Sequence, residues 1–155
     1  MTDATDTFAD IFKDAMVDAA HTLWDPDPNI QISYGHPGMN MLNDIVGFGR
    51  VSSEQEVAAY GPTRPREETL TLDVTFSIYR PGGPEMEKVA TDRAYELLRQ
   101  LARYVRITDT TVGGTVRDCF LTAHESDGST DPETLSQGRL IEVMATFTAH
   151  ARVRS

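Results

Sequence analysis

The run Asp25-x-Asp27-x-Asn29 carries the oxygen donors of the first half of a calcium loop, in which alternate side chains face one hard cation. Such a loop needs glycine at its sixth position for the sharp turn and a bidentate glutamate at its twelfth; here those positions are Ile30 and His36. The match fails at both. Asp25-Pro26-Asp27-Pro28 reads instead as a helix stop, because the residue before a proline is pushed out of the α region. His21, His36, His124 and His150 lie at least 15 residues apart, so no pair sits at the helix or strand spacing that a metal uses. Gly47-Phe48-Gly49 lacks the third glycine of a dinucleotide fingerprint and no helix follows it directly. Neither a nucleophile elbow nor a phosphate-binding P-loop is present.

Two acidic pairs could be cast as general acid and base, Glu67-Glu68 and Glu85/Glu87. Adjacent strand residues point to opposite faces, however, and the second pair suits the first turn of a helix. Cys119, the single cysteine, lies between Asp118 and Phe120 in a strand-like run and reads as buried packing. The expectation is therefore of no catalytic residue, no metal and no cofactor, in a protein that is not an enzyme. Recognition chemistry is better represented. Arg64 and Arg66 offer fork-shaped donors suited to carboxylates, stiffened by Pro62 and Pro65 and followed by Glu67 and Glu68. Composition leaves two readings of this stretch level: a solvated hairpin tip with a local Arg–Glu pair, or a contact for another chain.

Hydrophobic periodicity gives the elements that must carry these residues. Phe8, Ile11, Phe12, Ala15, Met16, Ala19, Ala20 and Leu23 fall in steps of three and four, predicting an amphipathic helix with Thr7 as its cap. Residues 1–6 are expected to be a flexible N-terminus. Ile30–Tyr34 and Asp44–Val51 read as strands, the second with a bulge or a close backbone approach at Gly47 and Gly49. Leu70, Leu72, Val74, Phe76 and Ile78 alternate without a slip, leaving Thr71, Asp73 and Thr75 on a polar face. Pro84 opens a second helix striped by Ala90, Ala94, Leu97, Leu98 and Leu101. Val116–His124 and a run from about Arg139 to Val153 complete the set. The order α-β-β-β-α-β-β predicts one α+β domain over residues 1–155, with two helices against a mostly antiparallel sheet. Two polar connections, residues 52–67 and 125–137, are expected to be long loops, and loops of that length are usually functional or disordered.

The chain has 155 residues, room for one core, and a formal net charge of −10. An acidic surface repels phosphates, which argues against a protein that grips nucleic acid by its backbone. The N-terminal MTDATDTFAD lacks the basic start of a signal peptide, and no apolar run has the length of a membrane span.

The succession Ser52-Ser53-Glu54-Gln55-Glu56, then Arg64-Pro65-Arg66-Glu67-Glu68-Thr69-Leu70-Thr71-Leu72, a Gly-Gly before a helix containing RAYELL, and GGTVR resembles tail terminator proteins of long-tailed actinobacterial phages, also called minor tail or tail completion proteins. The resemblance spans residues 7 to 153. It implies a β-sheet flanked by two helices, assembled as a homohexameric ring in the virion at the head–tail junction after synthesis in the host bacterial cytoplasm. Such a ring caps the tail tube, stops polymerisation of the major tail tube protein, and meets the head–tail connector. DNA passes its channel without specific binding, to which an acidic lining is suited. Arg64, Arg66, Glu67 and Glu68 are then candidates for ion pairs between subunits or with the tube, and Thr71, Asp73 and Thr75 are further interface candidates. The competing expectations are a head completion or connector-docking ring, and a small-molecule enzyme or binding domain.

Overall fold

Residues 9–24 form a helix because one face of them is apolar and has something to bury against. Phe12, Met16, Ala19, Ala20 and Trp24 of this helix, α1 (Ala9–Trp24), are buried, and Asp10 lies in the first turn, where the dipole favours a negative charge. The computed structural model describes residues 6–35, 42–127 and 137–154. Its elements follow in the order α1, β1 (Ile30–Tyr34), β2 (Asp44–Val57), β3 (Arg66–Pro81), α2 (Glu85–Arg103), β4 (Asp118–Asp127) and β5 (Gly138–Val153). A π-helical turn, Tyr104–Thr108, extends α2.

The strands make one five-stranded sheet in the order β1-β2-β3-β5-β4. All neighbours are antiparallel except β1 and β2. This is the α+β domain that the periodicity predicts. The spine is the β3–β5 pair, in register from Arg66 opposite Val153 to Pro81 opposite Gly138. Leu70, Leu72, Val74, Phe76 and Ile78 of β3 and Ile141, Val143, Phe147 and Ala149 of β5 point into one core with Phe12, Met16, Leu97, Leu98 and Leu101 of the helices. Each large side chain so buried contributes about 1.5–3 kcal/mol relative to exposure. Trp24 ties the two helices together by donating its indole N–H to Gln100 Oε1 at 2.6 Å. The opposite face of the sheet carries Thr69, Thr71, Asp73, Thr75, Thr146 and Thr148, half-buried to exposed.

Several boundaries differ from expectation, for physical reasons. The expected loop 52–67 is mostly hairpin: β2 runs on to Val57 and β3 starts at Arg66, paired from Ser52 opposite Thr71 to Val57 opposite Arg66. Hydrophobic alternation misses this extension because its inward positions, Ser53, Gln55 and Glu68, are polar and bond to one another. Likewise β4 starts two residues later than expected and continues through Glu125 to Asp127, so the second expected loop loses its first residues; residues 128–136 lie outside those described. The bulge expected at the glycines of β2 is present: register shifts between Phe48 and Val51, across Gly49 and Arg50. A second bulge, in β4 between Leu121 and Ala123, faces it across Asp73 and Thr146. Of the N-terminal stretch expected to be flexible, residues 1–5 lie outside the described residues. Asp6 is held, its carbonyl accepting from Gln55 Nε2 at 2.6 Å and its carboxylate from Arg66 at 3.0 Å.

Candidate interaction site at the closed end of the long hairpin

The seven interface candidates lie between Arg64 and Thr75, yet the fold sorts them into three environments. The first is the hairpin tip, residues 58–65 between β2 and β3. It is closed by backbone hydrogen bonds from Ala58 N to Pro65 O (2.8 Å) and from Arg64 N to Gly61 O (3.2 Å). Arg64 sits at φ +46°, a left-handed conformation that costs a residue with a Cβ roughly 1–2 kcal/mol. Its side chain is exposed and has no ion-pair partner among the described residues. Tyr60, which sequence reasoning passed over, is 94% exposed, and Val57 at the end of β2 is 61% exposed. Aromatic and arginine side chains held on a stiff, preorganised turn are the types that dominate protein interfaces.

The second environment braces that tip from both faces of the sheet. Glu67 points to the open face and pairs within its own chain. Arg117 grips it with two nitrogens at 2.8 and 3.3 Å, and Arg152 Nε donates to it at 2.6 Å. Burial pushes the Glu67 carboxyl up, but the hydrogen bond from Arg152 and the two guanidinium charges outweigh that and hold it below the usual carboxylate range. Glu68 points the other way and is fully buried. Its Oε1 accepts the N–H of Phe8 at 2.7 Å; its Oε2 accepts from Ser53 Oγ at 2.5 Å, from Gln55 Nε2 at 3.1 Å and from the hydroxyl of Thr7. Here too burial pushes the carboxyl up, and the donors of Ser53, Thr7, Phe8 and Gln55 bring it below its ordinary value.

These bonds give Glu68 an intrachain role at the entrance of α1. It completes the start of that helix from 60 residues away. The N-cap is Phe8 and not the expected Thr7, whose hydroxyl oxygen one position earlier accepts the Ala9 N–H at 3.1 Å. Arg66 joins the same network through Asp6.

The third environment is the open face. Thr71 shares a hydrogen bond with Ser52. Asp73 accepts from Thr146 Oγ at 3.3 Å, and both line a shallow trough of about 430 Å³ with Thr75, Arg50 and Met144.

A separate charged cluster escaped sequence reasoning because its members are far apart in the chain. Asp44, 4% exposed, accepts from Arg80 and from Arg93 Nε at 3.0 Å, and Arg93 reaches Asp27 and Glu96 at 3.5 and 3.2 Å. Burial raises the Asp44 carboxyl, but hydrogen bonds and charge from Arg80 and Arg93 outweigh that and bring it below its ordinary value. The cluster borders a cleft of about 540 Å³, but its acids and bases neutralise each other and lock the start of β2 to the end of β3 and to α2.

The other candidate centres resolve as structure. Asp25 accepts from His21 Nδ1 at 2.6 Å and Asp27 from the Asn29 N–H at 2.9 Å, the local bonds of a helix end. Cys119 is buried, and burial followed by the charge of Asp118 pushes its thiol up to about 12, away from nucleophilic thiolate. Among the described residues no group of three or more His, Cys, Asp or Glu side chains could hold a metal ion, and no helix is long and apolar enough to cross a membrane. Comparison with protein-family models and with curated protein sequences gives no match.

Proposed function

We propose that this chain is a structural virion protein that forms a ring, hexameric by its resemblance, on the end of a phage tail tube. The ring stops addition of tube subunits and offers the surface to which the head connector joins. The observation that carries this reading is the fate of the Arg-x-Arg-Glu-Glu run. Its glutamates and Arg66 hold a stiff hairpin from within, and its tip presents Tyr60 and Arg64 to the outside. Such an element supports binding without chemistry. Of the residues first singled out, Arg64 is the one offered to a partner, Arg66, Glu67 and Glu68 position it, and Thr71, Asp73 and Thr75 form a second face available to a neighbouring subunit. A formal net charge of −10 suits a channel through which DNA moves without adhering.

Deleting the gene from its phage tests the reading. Overlong tail tubes in electron micrographs are expected; normal-length tails that fail to join heads would transfer the protein to the head-completion role. Six-fold rings of the purified chain by negative stain are the expected direct sign.

A further inference from the structure

The hairpin tip has a complement elsewhere on the same molecule. A groove of about 340 Å³ lies between α1 and the segment that follows the π-helical turn. Ile11 and Ala15 give it an apolar floor, Tyr104 forms part of its wall, and Asp14, Asp18 and Asp109 set carboxylates around it. No lysine or arginine lines it, and none of these three aspartates has an ion-pair partner among the described residues. The tip offers the opposite: one aromatic ring, 94% exposed, and one guanidinium on a rigid turn. That exposure also shows that the tip does not occupy its own groove.

We propose that the β2–β3 tip of one copy seats in the α1 groove of a second copy, with Tyr60 on the apolar floor and Arg64 among the carboxylates. The choice of a second copy rests on charge: an acidic groove repels nucleic acid and accepts this basic, aromatic tip. Tip and groove are different surfaces, so the contact is head-to-tail, and each added copy leaves one tip and one groove open until the ring closes. The inference rests on the ring reading and supplies its joint.

Charge reversal with mixing tests it, because the two halves of the contact can be reversed in separate proteins. Arg64→Glu and Asp18→Arg should each weaken self-association at least about tenfold by sedimentation, with unfolding midpoints near that of the parent. Mixed in equal amounts they should reassemble, since each altered tip meets the reversed groove and each native tip meets a native groove. A second measurement mixes Tyr60→Cys with Ala15→Cys under mild oxidation; a disulfide-linked dimer is expected, and none when Val89→Cys replaces Ala15→Cys. Rings that form equally well from both charge variants would overturn the joint and leave the ring reading standing. A chain that stays monomeric at millimolar concentration without the Tyr60→Cys cross-link, or a cross-link to the tube subunit in place of a second copy, would overturn the joint, while normal-length tails after gene deletion would overturn the ring reading.

Discussion

Glu68 stays ionised inside the fold because the Thr7 and Ser53 hydroxyls, the Gln55 amide and the Phe8 N–H all aim at it. Glu68→Ala removes the acceptor shared by the half-buried Thr7 and Phe8 donors and by Ser53 and Gln55 at the surface, and should cost about 1–3 kcal/mol, read as a lower urea midpoint. Its carboxyl, like those of Glu67 and Asp44, titrates lower in the folded chain than in the unfolded one. The stability these groups contribute is therefore complete above the unfolded carboxylate range, about pH 4–5, and drains away as pH falls through the lower folded values. Glu68→Gln should be less stable than the parent at pH 7 and lose less on acidification, so the two curves converge near about pH 3. Arg64 shows the opposite kind of residue, strained in its backbone and exposed in its side chain. Arg64→Gly removes the left-handed penalty while adding freedom to the unfolded chain, so stability should stay within about 1 kcal/mol. Ring assembly should nevertheless fall, and native mass against thermal midpoint separates the two effects.

At the scale of elements, the hairpin explains what was legible in the sequence and what was not. Alternation locates Leu70 to Ile78 because every inward position there is apolar. It stops at Thr69 because the next inward residue is Glu68, whose partners Ser53, Gln55, Thr7 and Phe8 sit 13 to 61 positions away. A polar ladder that satisfies itself leaves no periodic mark, so a hairpin reads as a loop. The opposite facing of Glu67 and Glu68 was legible, since it follows from the pleat alone. The partners of Glu67 were not, because Arg117, just before β4, and Arg152, on β5, come from far along the chain. The far end of the spine depends on a backbone fit: a Cβ on Gly138 would lie 2.4 Å from the Arg80 carbonyl oxygen. Gly138→Ala should force β3 and β5 apart at that end and cost about 1–3 kcal/mol, with loss of amide protection at Arg80 and Leu140.

For the whole molecule, placing both helices on one face leaves a hydroxyl-rich sheet surface uncovered on an acidic chain, and the proposed ring brings such chains together. Repulsion between chains of charge −10 acts over long separations, whereas the proposed tip contact would act at short range. Raising NaCl from about 10 mM to about 150 mM shortens the Debye length from about 30 Å to about 8 Å, so assembly should increase over that range. Light scattering at fixed protein concentration measures it. The brace of the tip also has a temporal side. Glu67 waits for Arg152, 85 positions further along, and β3 finds its main partner only when β5 has been made. On a ribosome the tip's residues emerge early, but the framework that holds them comes last. If the proposed joint forms, a nascent chain presents it only after β5 has paired with β3.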